Sequence, residues 1–314
     1  IAVIGQHFPY TPIANPSYMV NGWSFGIRPE VLQKNVNKAK KQGAEIVVLL
    51  SHNGFDVDQK LASMIDGIDV ILTGHTHDAI PKGIRIKDTL LLSSGSHGKY
   101  LGRIDLKVKN GKVVDTSSNL IPVFSDIIPP DPDMKKLINK IRAPYQSECN
   151  RIIGETETLL YRRGNFNGSW DDVICDTIIR ERDTEISLSP GFRWGTTLLP
   201  GQKITIDDIY SQTSMNYPEV YRIEMTGKMI KEILEDVCDN IFNPDPFFQQ
   251  GGDMVRVGGL TYTCRPKNKM GNRISNLRII SSDKPLEWQK NYVVGGWGSV
   301  NQNVKGPPIY YLLE

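Results

Sequence analysis

Apolar residues come in short runs of strand length, separated by stretches with helical spacing. Residues 1–4, 45–51 and 69–73 are almost continuously apolar, whereas residues 29–42 and 57–65 repeat their apolar positions at three- and four-residue intervals. Gly43 stands where the first of these helices must stop. Strands alternating with helices predict a parallel sheet, and unbroken apolar strands predict that both of its faces are buried. Two later strands, at 89–93 and 102–109, close the unit through the turn Asn110-Gly111. This part of the chain is therefore expected to be α/β.

The run Ile127-Ile128-Pro129-Pro130-Asp131-Pro132 interrupts the pattern and leads into a charged helix over 134–149, which Pro144 is placed to kink or shorten. Beyond residue 153 helices near 170–180 and 227–240 mix with short strands at 220–225, 259–263 and 292–295. The 314 residues thus divide into a first domain at 1–128, a linker helix at 129–152 and a second, mixed domain at 153–314, α+β overall. No internal repeat is visible.

Composition narrows the function classes. With 39% apolar and 23% charged residues the chain is neither disordered nor fibrous, and a net charge of +2 gives no electrostatic case for nucleic acid or an anionic membrane. No run reaches the ~20 apolar residues of a membrane span, so a soluble chain is expected. Ile1 opens directly into a strand without an initiator Met, which reads as a fragment or processed product. Cys149, Cys175, Cys238 and Cys264 lack metal-site spacing. They read as buried thiols or as a disulfide in an oxidising compartment, and they do not settle which. The sequon Asn167-Gly168-Ser169 adds little.

Candidate chemistry sits at two strand exits. The runs ending Ser51-His52-Asn53-Gly54 and Gly74-His75-Thr76-His77-Asp78 each place imidazole just past an apolar strand, where loops of open α/β sheets carry function. In an extended loop His75 and His77 would point the same way, each toward one of two metals. Asp78 reads either as an outer-shell partner of an imidazole or as a solvated carboxylate. His97 follows another strand, with a loop role as open as a site role; His7 reads as structural. Three neutral imidazoles cannot balance two dications, and no Asp-x-His motif precedes His52. The remaining ligands are expected upstream of Ile1.

The motifs Ser51 to Gly54 and Gly74 to His77 resemble the last two metal motifs of the 5′-nucleotidase branch of the calcineurin-like metallophosphoesterases. Further segments, Phe8-Pro9-Tyr10-Thr11-Pro12, Ser189-Pro190-Gly191-Phe192-Arg193-Trp194-Gly195 and Gln250-Gly251-Gly252-Asp253-Met254, are similar to those of the SoxB thiosulfohydrolases within that branch. The resemblance implies part of a metallophosphoesterase sandwich followed by a 5′-nucleotidase-type C-terminal domain. It implies a pair of divalent ions, manganese before zinc or iron, with His52 and His75 on one ion and His77 on the other. It also implies release of sulfate from a cysteine-bound thiosulfonate on the periplasmic Sox sulfur-carrier protein. Arg193 and Trp194, with Gly252 and Asp253, are the expected substrate contacts, against structural readings for each: a solvated arginine, core aromatics, a tight turn. A nucleotide phosphohydrolase and a non-catalytic carrier-binding fragment are the alternatives.

Overall fold

The computed structural model describes residues 1–162, 164–192, 195–214, 217–300 and 304–314. They form two compact units. The first comprises Ile1–Pro130 together with Pro244–Gly251, and the second Asp131–Asn243 with Gly252–Glu314. Segment 244–251, which the sequence alone places in the second domain, packs in the first unit.

In the first unit β1 (Ala2–Gln6), α1 (Pro29–Lys41), β2 (Val47–Ser51), α2 (Phe55–Met64) and β3 (Val70–Thr73) follow one another as the apolar pattern predicts. With β4 (Ile84–Ile86) and β5 (Thr89–Ser93) they form a sheet of order β1-β2-β3-β5-β4, parallel except for the β4 edge. Leu32 and Val36 of α1 and Val57, Leu61 and Ala62 of α2 pack on Val47, Leu49, Ile71 and Leu91, which all point to one face. On the other face Val3, Leu50 and Leu72 remain exposed. The expectation of burial on both faces is thus met on one side only among the described residues, with β5 covered further along where Gly102 lies against Leu92. Strands β6 (Tyr100–Lys109) and β7 (Lys112–Pro122) form the hairpin announced by Asn110-Gly111, both at positive φ.

The second unit opens with a helix over Pro132–Arg142 that gives way to a 3₁₀ turn at Ala143–Tyr145, because Pro144 cannot donate the next helical bond. Its main sheet contains Tyr221–Thr226, Asn291–Gly296, Ile186–Ser189 and Arg256–Gly258 in that order. Helices Ser169–Arg182 and Gly227–Phe242 supply much of its core. The helix Ile206–Gln212, which the apolar pattern does not announce, starts at a reciprocal cap between Thr205 and Asp208. Among the described residues no helix is long and apolar enough to cross a membrane.

Candidate metal centre

Register brings the first two histidine motifs together. Ser51 and Thr73 are directly paired across β2 and β3, so His52 leaves its strand level with Gly74, and His75 follows one residue further along the adjacent parallel strand. The backbone continues the pairing past the strand ends: His52 N donates to Gln6 O at 2.9 Å and Gly74 N to Ser51 O at 2.9 Å. The two imidazole centroids lie 5.4 Å apart, tilted by 56°. Two imidazoles bound tetrahedrally to one ion at about 2.1 Å have centroids roughly 5 Å apart. The pair therefore fits a shared cation. Phe8, at the exit of β1, stacks on the His75 ring at 4.1 Å; sequence reasoning gave Phe8 no place at the site.

A backbone carbonyl fixes the role of one nitrogen of His75. Its Nε2 lies 2.7 Å from Gln250 O, and since a carbonyl only accepts, Nε2 carries a proton; in the neutral ring Nδ1 is then the acceptor nitrogen. This is the outer-shell arrangement that metal-binding imidazoles require. Gly251 makes it possible: at φ 77° a Cβ there would stand 2.8 Å from His75 Nε2. Gly252, at φ 84°, has open space instead. Segment 244–251 is anchored within the first unit. Tyr10 Oη donates to Phe247 O at 2.5 Å, Lys60 Nζ donates to Asp245 Oδ1 at 2.6 Å, and the same ammonium sits 4.0 Å over the Phe247 ring.

Beneath the strand exits Asp58 is wholly buried in the first turn of α2. Its Oδ1 accepts from Ser51 Oγ at 2.7 Å and Asn53 Nδ2 at 3.0 Å, and its Oδ2 accepts from Thr73 Oγ1 at 2.5 Å. One carboxylate thus ties the ends of β2 and β3, the residues flanking His52 and preceding Gly74-His75. Burial pushes its pKa up, while the bonds from Thr73, Ser51 and Asn53 pull it down. An acidic side chain on the apolar side of a helix is the signal that reveals it in the sequence. Burial also lowers the pKa of His52, with the nearby His7 imidazole acting in the same direction, so His52 favours the neutral form a metal ligand must have. His7 itself is held by Thr11 Oγ1, 3.2 Å from its Nδ1.

His77 takes a different course. Its φ of 58° and that of His75, 78°, are both left-handed, so the loop is bent and the shared face expected of an extended chain does not exist. Its ring instead meets His97 edge-on at 6.0 Å. Asp78 secures the same loop through its backbone carbonyl, which accepts from Ser93 Oγ at 2.5 Å and Gly95 N at 2.8 Å. The outer-shell bond to His75, one of the two readings of Asp78, is made by the Gln250 carbonyl. Among the described residues no three His, Cys, Asp or Glu side chains gather closely enough to hold an ion alone. The donors brought together among the described residues are imidazoles, without the carboxylates that a pair of dications would need.

In the second unit Asp253 is buried and lies 3.3 Å from Arg256 Nη2. Arg256 Nε also stands 3.1 Å from Asp171 Oδ2, and Asp171 Oδ1 accepts from Arg162 Nε at 2.7 Å. The remaining guanidinium nitrogens of Arg162 donate to Gln212 O and Pro190 O, while Arg256 Nη2 donates to Gly164 O. This buried cluster holds the loops at 164, 190, 212 and 253. Arg193 and Trp194 lie outside the described residues; Phe192 closes a turn through its N–H to Pro190 O.

Residues 152–298 match the family model described as 5′-nucleotidase, C-terminal domain. The sulfate thiohydrolase SoxB of Thermus thermophilus, solved in complex with glycerol, is 36% identical with a TM-score of 0.94, covering 99% of this chain and 58% of its own. The trifunctional nucleotide phosphoesterase YfkN of Bacillus subtilis is 26% identical over 84% of this chain and 19% of its own length. YunD of the same bacterium, an uncharacterised metallophosphoesterase, is 36% identical over 34% of this chain and 22% of its own length. Such relatives point to metal ions. This chain spans little more than half of the SoxB chain and a fifth of YfkN. Along 99% of its length the chain resembles the SoxB structure, and its residues 152–298 form a domain of the 5′-nucleotidase family.

Proposed function

We propose that the chain is part of a periplasmic dinuclear-metal hydrolase that releases sulfate from a thiosulfonate borne on a cysteine of a sulfur-carrier protein. The likeness to the sulfate thiohydrolase SoxB carries this reading: 36% identity along 99% of the chain, against 26% along 84% for the nucleotide phosphoesterase. The His52–His75 pair supports it with a local geometry suited to one cation. In this reading His52 and His75 hold one ion and His77 the second, with manganese favoured and zinc or iron compatible with imidazole and oxygen donors. When bound, the ions supply Lewis acidity and lower the pKa of a coordinated water. The chain's own part is to keep His52 neutral, to fix the His75 tautomer through Gln250, and to lock both strand exits through Asp58. Arg193 is assigned to the sulfonate oxygens, which suit a guanidinium fork, and Trp194 and Gly252 to the approach of the carrier's arm. Asp253, paired with Arg256, shapes that loop.

The test is to supply full-length protein and manganese with AMP and, separately, with a carrier-bound thiosulfonate. Sulfate release without phosphate release is expected. Rapid phosphate release with no sulfate would replace this reading by nucleotide hydrolysis, the activity named for YfkN.

A further inference from the structure

We propose that Cys238 and Cys264 are joined by a disulfide bond when the protein resides in an oxidising compartment. This inference stands apart from the hydrolase reading. Cys238 is fully buried in the helix Gly227–Phe242, and Cys264 ends the strand Leu260–Cys264. Their Sγ atoms are 3.6 Å apart. A disulfide needs about 2.0 Å, a difference that side-chain rotation can supply when the backbones are already adjacent.

Those backbones are fixed by neighbours. Three residues before Cys238, the Glu235 carboxylate accepts from the backbone N–H groups of Gly271, Arg273 and Ile274. One residue after it, Asp239 accepts from Arg273 Nη1 at 2.5 Å. Ile274 in turn pairs with Cys264 in the sheet. Helix and strand are therefore docked on both sides of the two sulfurs. Cys175 instead packs beside Ser187.

The exchange proceeds in two steps. The more exposed Cys264, as thiolate, attacks a disulfide of a protein or glutathione oxidant, expelling one thiolate and forming a mixed disulfide. Cys238 then attacks the Cys264 sulfur and expels the second. The oxidant gains two electrons and takes up the two protons the cysteines lose. Burial pushes the Cys238 thiol up to about 12 and raises that of Cys264, so the bond forms most readily before the helix is fully packed. It closes the stretch 239–263, which contains the Gln250 carbonyl that holds His75.

To test this, the full chain is refolded in excess oxidised glutathione, denatured, alkylated without reduction and analysed by mass spectrometry. The expected result is alkylation at Cys149 and Cys175 only, a peptide linking 238 to 264, and a Tm that falls by roughly 5–10 °C on reduction. Alkylation of all four thiols, glutathione retained on either cysteine, or a link between another pair overturns the proposal. Because Cys238→Ala opens a cavity in the core, Cys264→Ser serves as the second variant. It should leave Cys238 fully alkylated and abolish the redox dependence of Tm; a redox-dependent Tm persisting in it also overturns the proposal.

Discussion

His75 Nε2 donates to the backbone carbonyl of Gln250 at 2.7 Å, across 175 positions of sequence. A distant backbone group thereby sets the tautomer of a proposed ligand, and Gly251 is the residue that lets it come so close. Gly251→Ala places a methyl group 2.8 Å from the ring nitrogen in a left-handed backbone. The full-length variant should bind manganese about 10–100-fold more weakly, as found when outer-shell partners are lost. Calorimetric titration measures this, and an unchanged affinity would show that the carbonyl is idle.

Asp58→Ala removes the acceptor of three buried donors at once. The cost should be about 2–5 kcal/mol of stability, since stranded donors lose their full desolvation. Urea unfolding of the variant checks it. A loss below about 0.5 kcal/mol, typical of surface sites, would mean the strand ends hold themselves.

The tether between Lys60 and Asp245 predicts a pH dependence. Hydrogen bonds from Lys60 and the Phe247 N–H hold the Asp245 carboxyl below its ordinary 3.8. A depressed carboxyl contributes stability that is present above the unfolded pKa and lost as pH falls through the folded one. Segment 244–251 should therefore stay anchored at neutral pH and loosen only below 3.8. Carboxyl-carbon NMR of Asp245 should give a midpoint under that value, moving toward it in Lys60→Met; a wild-type midpoint at or above 3.8 would refute the tether.

Asp171 lies between two buried guanidinium groups, those of Arg162 and Arg256. Asp171→Ala leaves both cations without a common counter-charge, and the second unit should lose about 3–5 kcal/mol. Replacing only the exposed Asp207, which pairs with Arg142 at the surface, should cost no more than about 1 kcal/mol. Equal losses in the two variants, by thermal unfolding, would contradict the contrast.

The alternation of apolar runs foretold β1, α1, β2, α2 and β3 because each element buries its own local pattern. Strand exits likewise announced His52 and His75. What could not be read was long-range or conformational. Gln250 meets His75 only through the fold, Phe8 stacks on it from a third strand, and the left-handed turns at His75 and His77 defeat the extended-loop reasoning that aligned them. The exposed row Val3, Leu50 and Leu72 shows why the sequence spoke of two covered faces: apolar strands record where packing is required. They do not record which layer supplies it.

Anomalous diffraction from crystals of full-length protein grown with manganese bears most directly on the proposed centre. The account predicts an anomalous peak within about 2.4 Å of a ring nitrogen of both His52 and His75, the latter through Nδ1. Manganese bound elsewhere, or a peak reached by only one of the two rings, would contradict it.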